Sequence, residues 1–276
     1  MTTRQRQSTF AAPNMTVGGS IIVSTKGTRN LGVFFHSKLD LKLHISNICW
    51  KCYFQLRQLR TVCRSLQPDI LKTLLHLFVP CRFDYCNSLY AGLLACDIAQ
   101  LQSVQNAVAR LFDGALKYDS VTPVLRDVLY WLPIKEGINF KIGVLTYKAL
   151  NGLSPSYLLA MLGPVAVNPA QRRNRSANRG DITVLRAKNT IYNVRSFAVT
   201  APMLWTSFPV ELRCISSMNF CCKRLKTYLF RAVYNIVSRL FDWSWLYNVQ
   251  HSEVLAYGGS YINSIIIIII IIIIIK

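Results

Sequence analysis

The chain has 276 residues, of which 52% are hydrophobic, and carries 32 Lys and Arg against 12 Asp and Glu. That length holds one or two compact domains and that apolar share builds a core, which excludes disorder for most of the chain. A net charge of +20 destabilises a compact state by self-repulsion unless a polyanion compensates, so nucleic acid is the first partner class and an anionic membrane the second.

Residues 1–25 are polar and Gly-rich without a period, and read as a disordered leader. Ile21–Val23 and Leu31–Phe35 are short apolar runs separated by Lys26-Gly27-Thr28, which predicts a hairpin turning at Gly27. From Asp40 to Leu66, Ile45, Ile48, Cys49, Cys52, Leu56, Leu59, Val62, Cys63 and Leu66 recur at helical spacing. Arg57, Arg60 and Arg64 fall together on the flank of that stripe. Pro68 opens a second helix and Pro80 stops or kinks it.

Asp97 is the expected cap of a helix through Phe112, closed by Gly114. Thr122-Pro123 opens a short helix, and Trp131-Leu132-Pro133 makes a turn. Ile134–Leu150 is the next helix, and Ser154-Pro155 starts another through Leu162. Residues 163–181 form a basic linker with Arg172, Arg173, Arg175 and Arg179. Ile182–Leu185 and Phe197–Val199 look strand-like. Met218–Tyr234 predicts a last helix with Lys223, Arg224, Lys226 and Arg231 exposed. Residues 242–276 end in the unbroken run Ile265–Ile275. The expected fold is mainly α: a helical bundle over 40–162 after a short hairpin at 26–39, then a small α/β region over 182–241.

Charge is lopsided. Between Gly137 and Phe241 there are 15 basic residues and two acidic ones, Asp181 and Glu211. Arg57, Arg60 and Arg64, the linker arginines, and Lys223, Arg224 and Lys226 are the candidate phosphate contacts, because Arg and Lys neutralise phosphates without reading sequence. The nine cysteines lie mostly in apolar segments and no signal peptide follows Met1. Reduced, buried thiols and an intracellular location, nucleus or cytoplasm, are expected.

Catalytic constellations are weak. Nucleotidyl transfer by two metals needs clustered carboxylates, and no Asp-Asp pair occurs. Phe83-Asp84-Tyr85 offers one carboxylate, and reads as a core tyrosine with a local Asp cap. Cys49-x2-Cys52 with His44 has zinc-like spacing, but on a helix it puts both sulfurs on the core face. No phosphate-cradling Gly loop and no nucleophile elbow is present. The expectation is no catalytic residue, no metal ligand and no cofactor.

Several blocks resemble non-LTR retrotransposon reverse transcriptases of the jockey and chicken-repeat type. Asn30-Leu31-Gly32-Val33-Phe34-Phe35 resembles the end of the palm. Phe83 through Leu93, Leu101 through Leu111, Trp131-Leu132-Pro133-Ile134, Tyr147 through Leu158 and Ala201-Pro202-Met203-Leu204-Trp205 resemble the thumb and the region after it, as does Phe220 through Phe230. The resemblance covers roughly residues 26–234. It implies a fragment of an RNA-directed DNA polymerase whose Arg57, Arg60 and Arg64 track the template or primer backbone. The family's Tyr-Ala-Asp-Asp motif and its earlier catalytic Asp should precede residue 26, and nothing like them is present. The parent enzyme would need Mg²⁺, but its ligands are absent here.

The isolated chain is therefore expected to be inactive as a polymerase and at most to bind RNA or DNA backbone weakly and without sequence preference. No obligate protein partner is inferable. One alternative is the non-functional, poorly folding product of a degenerate element. Another is membrane association through the apolar tail, which is disfavoured because Gly258, Gly259, Ser260, Asn263 and Ser264 interrupt it. Aggregation through polyisoleucine is the expectation for the tail.

Overall fold

The computed structural model describes residues 15–22, 25, 27–36, 40–163, 182–184 and 195–234. The chain divides into two units, Met1–Ile215 and Ser216–Lys276. The described part is mainly helical after a short antiparallel hairpin, as the sequence predicts, and a second hairpin precedes that one.

The hairpins differ in register from the sequence expectation. Strands β1 (Met15–Val17) and β2 (Ser20–Ile22) pair with each other around Gly18-Gly19, inside the segment expected to be a disordered leader. Strands β3 (Gly27–Asn30) and β4 (Val33–His36) form a second two-stranded sheet. Gly27 and Thr28 thus belong to a strand, and the turn lies at Leu31-Gly32. Both turn residues have positive φ, 46° and 83°, the geometry that matches the twist of a tight hairpin. The Tyr85 hydroxyl donates to the Leu31 carbonyl at 2.6 Å and holds that turn. Tyr85 is therefore half-exposed and anchors the hairpin, where the sequence pointed to a core tyrosine. Its neighbour Phe83 is the buried ring. Asp84 accepts from Asn87 Nδ2 and pairs with Lys141 at 2.9 Å.

Helix α1 runs Lys42–Val62 and tightens into a 3₁₀ turn at Cys63–Ser65. Ile45, Cys49, Cys52, Leu56 and Leu59 are its buried face. Pro68 starts α2 (Pro68–Phe78), and Pro80, which cannot donate to its last turn, starts α3 (Pro80–Asp84). Helix α4 spans Ala95–Asp113 and ends at Gly114, whose φ of 71° suits the left-handed stop. Its cap position is Leu94, so Asp97 is not the cap. Asp97 lies buried in the first turn, where its carboxylate complements the positive end of the helix.

Helix α1 packs along α4, and the shared core holds Ile45, Leu101, Val104 and Val108. The expected short helix after Pro123 is a single wide π turn, Val124–Val128. Lys72 Nζ donates to the Val128 carbonyl at 2.7 Å. Two side chains of α4 fasten the next segment: Gln105 Nε2 donates to the Leu132 carbonyl, and Gln102 Oε1 accepts from the Ile134 amide. Helix α5 (Ile134–Leu150) follows, then α6 (Ser156–Leu162), whose cap position is Pro155.

Ile182 makes only an isolated bridge. Phe197–Val199, expected as strand, is the first turn of helix α7 (Phe197–Ser207), which packs on α5 and α6. Short helix α8 (Val210–Arg213) closes the first unit. The described part of the second unit is helix α9, Met218–Tyr234, with Cys221, Cys222, Leu225, Lys226, Leu229 and Phe230 as its buried face.

Candidate nucleic-acid interface

Along α1 and the 3₁₀ turn that ends it, positions 50, 53, 54, 57, 60 and 64 share one ridge, because residues three and four apart are neighbours on a helix. The ridge begins with rings and ends with guanidinium groups: Trp50, Tyr53 and Phe54, then Arg57, Arg60 and Arg64. The buried stripe of Cys49, Cys52, Leu56 and Leu59 fixes which way the ridge faces, and all six side chains of the ridge are exposed. Trp50 is 67% exposed and Phe54 47%, and their rings stack with centroids 6.0 Å apart and planes 20° from parallel. The Tyr53 hydroxyl is hydrogen-bonded to Ser103 Oγ at 3.1 Å, which ties the ridge to α4.

The C-terminal end of α4 supplies the facing wall. Arg110, Phe112, Asp113 and, past the Gly114 stop, Lys117 line the other side of an open groove of about 990 Å³. Five cations thus share the groove with one carboxylate. Among the described residues none of the five is held in an ion pair. Arg110 Nε is buried without a hydrogen-bond acceptor. Arg60 and Arg110 occupy last turns, where cations complement the helix dipole by about 0.3–1 kcal/mol. That structural role does not account for Arg57, Arg64 or Lys117, nor for the exposed rings.

The structure therefore brings Arg57, Arg60 and Arg64 together. The sequence reading did not single out Trp50, Tyr53, Phe54, Arg110 or Lys117. The three rings were within reach of periodicity, since they continue the arginine ridge upstream. Arg110 and Lys117 join only through the packing of α4 on α1.

The other predicted contacts fare differently. Arg172, Arg173, Arg175 and Arg179 lie outside the described residues. On α9, Lys223 and Arg224 are exposed, and the Arg224 guanidinium sits 4.9 Å from the Phe220 ring centre. Lys226, expected on the exposed side, is buried, and loss of solvation pulls its ammonium down to about 8. It follows Cys222 by four residues and precedes Phe230 by four, so helical spacing puts it on the buried face. A side chain there is not free to reach a phosphate.

Among the described residues, His44, Cys49 and Cys52 are not brought together as a group that could hold a metal ion. His44 Nδ1 accepts from the Phe34 amide at 3.5 Å, and burial, with Lys51 nearby, lowers its pKa. Burial pushes the Cys49 thiol up to about 11 and Cys52 to about 12. Among the described residues there is no group of three or more His, Cys, Asp or Glu that could hold a metal ion. Among them, too, no helix is long and apolar enough to cross a membrane. Comparison with protein-family models, curated proteins and solved structures finds no match to this chain.

Proposed function

We propose that the chain binds the sugar-phosphate backbone of RNA or DNA through the groove between α1 and the end of α4, without sequence preference and without polymerase activity of its own. In that reading it corresponds to the thumb and downstream part of a non-LTR retrotransposon reverse transcriptase. The observation that carries it is the convergence of Arg57, Arg60, Arg64, Arg110 and Lys117 on one open groove with a single carboxylate. Cations aligned on one face and not held in ion pairs suit a ligand that brings its own regularly spaced negative charge. The net charge of +20 supplies long-range attraction to the same ligand.

The test is salt-dependent binding by the full-length chain carried on a soluble fusion partner. Affinity should fall steeply with salt and vary little between sequences. Reversing the charge of Arg57, Arg60 and Arg64 together should weaken binding by more than about tenfold on every sequence. It should also flatten the salt slope by about 2 to 3 units, near 0.9 per lost phosphate contact. Equal affinity at low and high salt, or a triple variant that binds like the parent, would refute the proposal.

A further inference from the structure

The groove carries more than charge, and the rings decide what kind of nucleic acid fits it. Trp50 and Phe54 stand out of the surface at the head of the arginine ridge. Their centroids are 6.0 Å apart. A base between them would need about twice the 3.4 Å stacking repeat, so the pair does not open for an intercalated base. Its free faces remain, as a platform on which a base can lie. From Trp50 to Arg64 the ridge is about 20 Å long at 1.5 Å per residue, the reach of about six stacked nucleotides.

A duplex offers such a surface its phosphates but keeps its bases stacked inside. A single strand offers both. We infer that the α1 ridge is a binding site for single-stranded polynucleotide, with bases stacking on Trp50 and Phe54 while phosphates run along Arg57, Arg60 and Arg64. The inference rests on the backbone-binding reading of the same groove and adds the class of strand. Base–aromatic stacking is sequence-tolerant, because every base has a π face, so this selectivity is for strandedness alone.

The experiment uses the full-length chain on its fusion partner and three probes of equal length: oligothymidylate, an abasic strand of the same charge, and a duplex. Oligothymidylate should bind about tenfold or more tighter than the abasic strand. The double substitution Trp50→Ala with Phe54→Ala should bring oligothymidylate down to the abasic level while leaving abasic and duplex binding as in the parent. Unchanged abasic binding also shows that the variant is folded. An abasic strand that binds the parent as tightly as oligothymidylate overturns the inference and needs no variant. So does a double variant that still discriminates, or a self-association of the parent that the double variant abolishes, since the rings would then have a second copy as occupant. If instead charge reversal at the three arginines leaves abasic binding unchanged, the backbone reading itself has failed, and this inference with it.

Discussion

Cys49 and Cys52 sit three residues apart on the buried face of α1, where loss of solvation raises both thiols from 9.0 to about 11 and about 12. The unfolded chain releases those protons near pH 9, whereas the folded chain keeps them. Their contribution to stability is therefore intact below pH 9 and is lost as pH rises through the folded values. Lys226 acts in the opposite sense, since its folded value of about 8 lies below the ordinary 10.5 and favours the folded state as pH climbs between the two. Comparison with a Cys52→Ala variant isolates the thiol. The parent's advantage in urea midpoint over that variant should shrink between about pH 8 and about pH 10. A constant difference across that window would contradict the assignment. Alkylation reads the same burial directly. Cys96 and Cys214 are exposed and should be labelled in the folded protein, while Cys49, Cys52, Cys221 and Cys222 wait for denaturant.

The β3–β4 hairpin turns at a residue poorly suited to it. Leu31 has a φ of 46°, a region that costs a Cβ-bearing residue about 1–2 kcal/mol, whereas Asn-Gly is the preferred pair for such a turn. Leu31→Asn should raise stability by about 1 kcal/mol and lift the melting temperature, because Leu31 is 82% exposed and Tyr85 bonds only its carbonyl. A lower melting temperature would show that the leucine side chain holds something. The same turn shows why element reading from sequence succeeds in some places and fails in others. Ile134–Leu150 and Met218–Tyr234 were readable residue for residue: Pro133 and Asn151-Gly152 bound the first, which is buried on more than one side, and apolar positions at helical spacing after Ser217 mark the second. Leu31 carries no turn signal, and the Lys26-Gly27-Thr28 cluster carries a false one. Phe197–Val199 is too short to show a period, and the helix α7 that contains it also holds Pro202 in its interior. The arginine half of the groove was visible as a stripe. Its facing wall was not, because Arg110 and Lys117 meet Arg57 only through tertiary packing.

At the scale of the whole chain, the charge that keeps the helical body apart from its own copies is opposed by the carboxyl-terminal segment, which lies outside the described residues. Val254–Ile275 holds 22 residues without a charge, long enough in principle to span a bilayer. The continuous apolar part is only the eleven residues Ile265–Ile275, about 16 Å as a helix, roughly half the hydrocarbon thickness. Gly258, Gly259, Ser260, Asn263 and Ser264 precede it and weaken any longer span. Isoleucine is β-branched, so in water the run favours an extended chain over a helix. An uncharged segment of that kind, free of Pro and Gly, stacks readily into cross-β contacts with its copies. Full-length protein should therefore partition into the insoluble fraction, and removal of residues 264–276 should return it to the supernatant. Fractionation of both forms from matched cells, with alkaline carbonate extraction of the membranes, measures this. Carbonate resistance of the full-length form, together with glycosylation of a tag placed after Lys276, would establish a true membrane span instead. If the truncated form also stays insoluble, the cause lies in the body, where exposed apolar side chains such as Trp50 and Leu116 would be the next positions to change.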